Sequence, residues 1–181
     1  MCMTKGCVML ISSAMNDAIN EQIGNEFAAS LQYVSVAAFF DNESLPVLAR
    51  HFYNQAAEER DHAMRFVKYV VDAGGQVAIP ALPAARTGFS SAADAVQLAL
   101  DSEMKVTRQI NALMDLAIKE KDHLATTMLQ WFVTEQLEEV SSMDTLLKMI
   151  KRAGEPGLLF VESYLSQVGL SMPAPDQNEA T

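Results

Sequence analysis

The 181-residue sequence contains only two cysteines, Cys2 and Cys7, and both lie within its first ten residues. No further cysteine is present to complete a four-cysteine zinc site or the disulfide framework of a small secreted domain. We therefore expect two free thiols in a cytoplasmic protein. They would lie on an N-terminal extension, residues 1–11, that precedes the folded domain.

Long apolar runs and an excess of positive charge are also missing. No segment approaches the roughly 18 apolar residues of a membrane-spanning helix, so we expect no membrane partner. Acidic residues number 23 against 13 lysines and arginines, and the formal net charge is −10. A surface of this sign repels phosphate backbones, which argues against nucleic acid as a partner. The same charge either attracts cations or serves solubility alone.

Strand-like alternation and internal repeats are absent as well, and apolar residues instead recur at helical spacing through most of the chain. Capping residues and glycines mark the ends of four long helices and of one shorter, strongly apolar helix. The pattern therefore predicts an all-α fold with helices between the following residues: Ser12 and Phe40, Ser44 and Ala73, Ser90 or Ser91 and Lys119, the end of a turn at residues 120–122 and Ala153, and Leu158 and Val168.

The segment between the second and third helices, residues 74–90, has no helical period and contains three glycines and two prolines. A loop of this length is uncommon in a compact domain unless it crosses from one end of a helical bundle to the other. We therefore predict a four-helix bundle with a long crossover and a short fifth helix, in a domain spanning residues 12–170. Residues 171–181, with two prolines and two acids, are expected to form a disordered tail.

The apolar faces of the first and third helices each contain a single glutamate. Glu26 is three or seven residues away from Ile19, Ile23 and Tyr33, and these spacings share one helix face. Glu103 is likewise three or seven residues away from apolar residues before and after it in the third helix. Both carboxylates are therefore candidates for burial inside the bundle.

The second and fourth helices each contribute a pair of polar residues at a spacing of three. Glu59 and His62 form one pair, and Gln136 and Glu139 form the other. Residues three apart on a helix project side by side, and apolar residues flank both pairs. Each pair alone is as easily read as a solvated helix face.

The pattern indicates a particular kind of site only when the four helices are considered together. Burying four carboxylates without partners is prohibitively costly, so a positive charge must lie among them unless they face water. One glutamate on each of two helices and one pair on each of the other two is the known ligand arrangement of di-iron carboxylate bundles. Carboxylate oxygens with one imidazole are suitable ligands for two iron ions.

These residues make the sequence resemble the bacterial non-haem ferritins. The resemblance extends over about residues 10–170, and four blocks carry it: NEFAASLQY from Asn25, QAAEERDHA from Gln55, SEMKVTRQI from Ser102 and LQWFVTEQLEE from Leu129. Haem-containing bacterioferritins instead have a Met after the second-helix Glu and a Glu-x-x-His pair on the fourth helix. Here Arg60 follows Glu59, and the fourth helix has Gln136 and Glu139, so we expect no haem.

The resemblance implies two irons that share Glu59 as a bridging ligand. The first iron would use the following residues: Glu26, Glu59 and His62. The second would use the following residues: Glu59, Glu103 and Glu139, with Gln136 close by. A third, weaker iron position would draw on these acids: Glu58, Glu135, Glu138 and Glu139. Tyr33 would lie beside the pair and supply an electron, whereas Trp131 is expected to be a core aromatic residue.

The function that the resemblance implies is iron storage. Fe(II) would be oxidised by oxygen or hydrogen peroxide and stored as a ferric oxyhydroxide mineral inside a shell of 24 subunits, with the apolar fifth helix near the four-fold axis. Two alternatives stay open at this point. A different di-iron oxidoreductase would need an apolar substrate cavity beside the metals, and a purely structural bundle would bind no metal at all.

Overall fold

The computed structural model describes residues 9–168, and this part of the chain forms five α-helices and no β-strand. Both cysteines and the predicted tail, residues 171–181, lie outside the described residues. Between residues 9 and 168, no helix has the length and apolar character needed to cross a membrane. The helices are α1 (Ser13–Asn42), α2 (Pro46–Asp72), α3 (Ala92–Glu120), α4 (His123–Ala153) and α5 (Leu158–Val168), with a 3₁₀ turn at Glu155–Gly157.

The predicted four-helix bundle with a long crossover and a short fifth helix is confirmed. Helix α1 packs mainly against α2, α3 packs mainly against α4, and α5 contacts both α2 and α4. Apolar side chains fill the bundle in two clusters, one around Phe40 and Phe52 and the other around Phe66 and Phe132. Most of the buried polar side chains of the four long helices lie, along each helix, between residues of these two clusters.

Two helices, α1 and α3, begin at capping residues that the sequence indicated, and α4 begins at Asp122, which the sequence placed only in the preceding turn. The side chain of Ser12 accepts a hydrogen bond from the Met15 N–H, and Ser91 and Asp122 accept equivalent bonds at the starts of α3 and α4. Each cap satisfies an amide that has no partner within its own helix. Helix α2 ends just before Gly74, which has a φ of 75° and so takes the left-handed conformation that glycine allows.

Ser44 does not cap α2, so that prediction was wrong. Ser44 has a φ of 60°, and the capping position is Leu45, whose side chain accepts no hydrogen bond. The cap comes instead from the far end of the chain. The Glu162 carboxylate of α5 is buried, and its two oxygens accept hydrogen bonds from the N–H groups of Val47 (3.0 Å) and Leu48 (2.7 Å).

The crossover, residues 73–91, lies along α1 and is held there by side chains of that helix. Asn20 donates a hydrogen bond to the Gln76 carbonyl and accepts one from the Ala78 N–H. Gly24 lies under the Pro80 ring, which approaches so closely that a Cβ at position 24 would collide with it. The loop therefore has a defined path over the outside of the bundle.

Two residues differ from their expected surroundings. The apolar spacing of Ile23, Phe27 and Val34 predicts a buried Val34, but this side chain is exposed. The buried face of α1 passes through Tyr33 and Ala37 instead. Ile11 was placed in the extension before the domain, yet its side chain is buried in the cluster around Phe66. The domain boundaries as a whole stay predictions.

The Glu162 cap predicts that this carboxylate contributes to the attachment of α5 to α2, in addition to the apolar side chains that α5 buries in the cluster around Phe52. We expect Glu162→Ala to leave two buried N–H groups without an acceptor, at a cost of about 1–3 kcal/mol. Hydrogen exchange of residues 158–168 should become clearly faster than in wild type. The control is Glu43→Ala, which removes an exposed acid close to the same helix end. Equal protection of α5 in both variants would contradict the role of Glu162.

Candidate metal centre

The middle layer of the bundle consists of six buried polar side chains. All four long helices contribute to it, and each of the six side chains is at most 6 % exposed. They are the residues that helical spacing singled out: Glu26, Glu59, His62, Glu103, Gln136 and Glu139. Four carboxyl groups and one imidazole thus share a space closed above and below by apolar residues.

Glu26 of α1 is fully buried and only half satisfied. Its Oε1 accepts a hydrogen bond of 2.9 Å from the Gln22 side-chain amide, one turn earlier on the same helix. Its Oε2 has no hydrogen-bond partner among residues 9–168. Burial raises the pKa of Glu26 to about 7, although the hydrogen bonds from Gln22 and Glu59 oppose that rise. A cation is the partner that would satisfy the free oxygen and the charge together.

Glu59 of α2 lies at the centre of the group. Burial, followed by the charges of Glu103 and Glu26, raises its pKa well above the ordinary value. Its carboxyl shares hydrogen bonds with Glu26 and with Glu103. His62 Nδ1 lies 3.3 Å from Glu59 Oε2. This position between the other carboxyl groups is the one that a bridging ligand requires.

His62 is held by aromatic rings on α4. Its ring makes edge-to-face contacts with Trp131, at 5.5 Å between centroids, and with Phe132, at 5.8 Å. Burial and then the charge of Arg65 lower the pKa of His62 to about 4. The imidazole is therefore neutral near pH 7, which is the form that binds metals.

The carboxyl group of Glu103 on α3 accepts hydrogen bonds from two side chains. The Tyr33 hydroxyl donates a hydrogen bond to its Oε1. The Gln136 amide donates to Glu103 Oε2 at 3.3 Å and also to Thr107 Oγ1 at 3.2 Å. Burial raises the pKa of Glu103, and these donors oppose the rise. Tyr33 and Gln136 thus fix the carboxyl group in one orientation.

Glu139 of α4 closes the layer on the side of a surface cavity. Burial, followed by the charge of Glu103, raises its pKa to about 9. The adjacent cavity has a volume of about 270 Å³ and is lined mostly by polar groups of α2 and α4. Its walls include all of the acids expected at the third iron position: Glu58, Glu135, Glu138 and Glu139.

Metal-ligating atoms come within 4.8 Å of one another in two groups of three among residues 9–168. The first group is Glu26, Glu59 and His62, the set expected at the first iron. Glu103 forms no such group with Glu59 and Glu139, the set expected at the second iron, although it is hydrogen-bonded to Glu59. The second group consists of the following residues: His62, Glu135 and Glu139.

Sequence reasoning missed three side chains that orient the site. All three lie three or four residues from a candidate ligand on the same helix, so helical spacing could have identified them. They are Gln22 before Glu26, Thr107 after Glu103, and Gln55 before Glu58. Arg65, whose guanidinium carbon lies 4.0 Å from the centroid of a Trp131 ring, gave no comparable signal, because the contact joins two helices.

The sequence profile of the ferritin-like domain matches residues 16–153. The chain is 46% identical over 149 residues to ferritin BfrB of Mycolicibacterium smegmatis, covering 82% of each chain. The bacterial non-heme ferritin of Staphylococcus saprophyticus is 34% identical over 170 residues, covering 94% of this chain and 100% of that relative. The chain belongs to the ferritin family. The predicted resemblance to bacterial non-haem ferritins is thereby confirmed.

The fold of this ferritin also has close structural counterparts. An open pore ferritin from the hyperthermophilic archaeon Archaeoglobus fulgidus superposes with a TM-score of 0.84 at 33% sequence identity. The match covers 87% of this chain and 97% of the archaeal chain. It therefore includes most of the bundle on which the polar layer is built.

The raised pKa values predict that the stability of this ferritin without metal depends on pH in an unusual direction. The ordinary pKa of a glutamate is 4.5 and that of Glu139 is about 9, so between these values the folded state binds more protons than the unfolded state. Its free energy of unfolding should therefore fall as pH rises from 7 to 9, by up to about 1.4 kcal/mol per pH unit for each such group. Histidines ordinarily titrate below this range.

Chemical denaturation of the metal-free protein from pH 7 to 9 measures this slope. Glu139→Gln should flatten it, because the substituted side chain does not titrate. Asp94→Asn is the control, since its hydrogen bond from Arg86 lowers the pKa of Asp94 to about 2, far below this range. A wild-type stability that is constant or rises over these two pH units would contradict the assigned burial.

Proposed function

We propose that this ferritin oxidises Fe(II) at an intrasubunit centre for two irons and stores the product as ferric oxyhydroxide in a shell of 24 subunits. The observation that carries the proposal is the layer of four buried carboxyl groups from four helices. Membership of the ferritin family supports it. Iron is the substrate and the cargo, and dioxygen or hydrogen peroxide takes up its electrons.

The charge of the centre explains why oxidation would be favoured there. Anionic oxygen ligands interact more strongly with Fe(III) than with Fe(II), so the buried carboxylates stabilise the oxidised ion more. Burial strengthens this preference, because water does not screen the charges. Each Fe(II) that is oxidised loses one electron, and the oxidant gains it.

Individual residues would have distinct roles. Glu26 and His62 would bind one iron, Glu103 and Glu139 would bind the other, and Glu59 would bridge them. This assignment follows the position of Glu59, whose carboxyl contacts both Glu26 and Glu103. The neutral imidazole of His62 needs no deprotonation before it binds.

Gln136 and Tyr33 would support the second iron position. Gln136 orients Glu103 through its amide, at 3.3 Å from Oε2. Tyr33 donates its hydroxyl proton to Glu103 in a hydrogen bond. If Tyr33 gave an electron to the oxidant, this bond would let the Glu103 carboxylate accept the phenolic proton. The tyrosine is therefore a suitable source of one additional electron.

A third iron position would lie in the adjacent cavity, beyond Glu139. Glu58, Glu135 and Glu138 line this cavity, and burial raises the pKa values of Glu58 and Glu135. The cavity opens to the protein surface, so the position would bind iron more weakly than the closed layer does.

Shell formation is supported by the outer face of α5. Leu159 is 71% exposed and Phe160 is 80% exposed in the single chain, and Tyr164 and Val168 are exposed beside them. An apolar surface on a terminal helix is a suitable contact between copies of the chain. We propose that α5 helices of neighbouring subunits pack together around the four-fold axis.

The ferroxidase proposal predicts that Glu59→Gln abolishes fast oxidation, because the variant lacks the bridging carboxylate. Even residues that only orient metal ligands typically cost 10–100-fold when mutated, so we expect the initial rate to fall by about 100-fold or more. Anaerobic Fe(II) titration followed by oxygen, monitored by the absorbance of Fe(III), measures both stoichiometry and rate. Wild type should saturate its fast phase near two irons per chain.

Asp61→Asn, an exposed acid on the same helix, is the matched control and should oxidise iron at nearly the wild-type rate. Unchanged rapid oxidation in Glu59→Gln would reject the assigned centre.

The shell proposal predicts that charge on α5 disrupts assembly. Phe160→Glu should produce smaller oligomers than wild type, because the acid would have to be buried without a partner. Phe160→Leu keeps the surface apolar and should leave the shell intact. Size-exclusion chromatography with light scattering separates these outcomes, and wild-type-sized shells from Phe160→Glu would contradict the contact.

A further inference from the structure

A groove of about 740 Å³ lies between α3 and α4, and most of the side chains that line it are apolar. Met104, Val133 and Leu137 are exposed in the single chain, whereas Ile110 is buried at the inner wall. Among the described residues that line the groove, Asp144 alone is charged, and it is paired with Lys148. The groove therefore offers an apolar surface with little net charge.

Helix α4 separates this groove from the acidic cavity. Val133, Leu137 and Val140 line the groove and recur at spacings of four and three, so they share one face of α4. Glu135 lines the cavity and lies two residues after Val133, a separation of about 200° around a helix axis. The same helix thus presents an acidic face to one space and an apolar face to the other.

The inner end of the groove reaches the polar layer. Gln136 is only 4 % exposed and lines the groove together with Thr107. Its amide nitrogen donates to Thr107 Oγ1 at 3.2 Å and to Glu103 Oε2 at 3.3 Å. One neutral side chain therefore lies between the groove and the carboxyl group of Glu103. A diatomic molecule needs only a small displacement of this side chain to pass, whereas a larger organic molecule would be stopped by it.

The two spaces suit the two reactants of an iron oxidation. A cation loses hydration energy in an apolar groove and gains no ligand there, so iron would favour the acidic cavity. Dioxygen is small, uncharged and apolar, and apolar surroundings take up such molecules more readily than water does. An apolar groove beside the layer would therefore raise the local concentration of dioxygen where it is consumed.

We propose that the groove between α3 and α4 binds dioxygen and delivers it past Gln136 to the polar layer, an assignment that rests on the proposed function. Iron and its oxidant would thus reach the layer from different faces of α4. Separate access has a physical advantage, because iron bound in the cavity would not obstruct the oxidant. Hydrogen peroxide is polar and mixes with water, so it would not depend on the groove.

Xenon under pressure tests the binding site without any iron chemistry, because this atom is apolar and occupies apolar cavities in proteins. Crystals of the assembled wild-type protein should show xenon density in the groove, between Ile110 and Gln136. Val133→Trp places an indole at the wall of the groove and should abolish that density. Val71→Trp is the matched control, since Val71 is an exposed valine of α2 that does not line the groove.

Oxidation kinetics test the delivery of dioxygen. Val133→Trp should raise the KM for dioxygen and leave kcat nearly unchanged, because the layer itself is not altered. If the indole fills the groove in about nine molecules out of ten, the KM rises about tenfold. The rate with hydrogen peroxide should equal the wild-type rate, as should both rates of Val71→Trp. Stopped-flow absorbance of Fe(III) at several dioxygen concentrations measures these quantities.

Several results would overturn the proposal. The first is a groove without xenon in wild type, including one filled by side chains of a neighbouring copy. The second is an equal KM for dioxygen in wild type and Val133→Trp when the indole is seen to fill the groove. Equal slowing with hydrogen peroxide would show instead that the variant damages the layer, and would also reject the groove as the path of dioxygen.

Failure of the proposed function would look different. Wild type would then oxidise Fe(II) no faster than buffer does with either oxidant, whereas xenon would still bind in the groove and Val133→Trp would still exclude it. The apolar site would stand in that case, and only its role in iron oxidation would fall.

Discussion

Mutual repulsion among buried carboxylates is the constraint on which this structure depends. Glu26, Glu59, Glu103 and Glu139 meet inside the bundle with one imidazole and neutral amides as their neighbours. Burial raises the pKa of each carboxyl group, so the site without metal retains protons that exposed acids would have lost. Cations of high charge would remove the same cost, so the proposed binding and oxidation of iron would be linked to the stability of the layer.

The rest of the fold makes that unfavourable layer tolerable. Apolar clusters around Phe52 and Phe66 lie on either side of it and hold the four helices in register. The crossover is attached to α1 by asparagine side chains, and α5 is attached to α2 by the Glu162 carboxylate. These attachments lie away from the polar layer, so the ligands can be arranged for metal binding while stability comes from other parts of the bundle.

Helical periodicity predicted most of the fold and the six polar residues of the layer, because spacing along one helix determines which side chains share a face. It could not predict contacts between helices. The cap that Glu162 provides for α2 joins residues 114 positions apart. Local spacing therefore indicated the wrong capping residue, Ser44. The membership of His62 in a second ligand group likewise depends on how α2 and α4 pack. The contact of Gln22 with Glu26, by contrast, could have been predicted from the sequence, because Gln22 lies four residues earlier on the same helix.

The central claim is that metal ions replace protons on the buried acids, and proton release on anaerobic Fe(II) binding tests it most directly. Calorimetry at pH 7 in buffers of different ionisation enthalpy counts the protons. The account predicts release of at least about one proton per chain, because Glu139, with a pKa of about 9, is protonated before the metal binds. Binding of two irons per chain without proton release would show that these acids were already ionised, and would contradict the account.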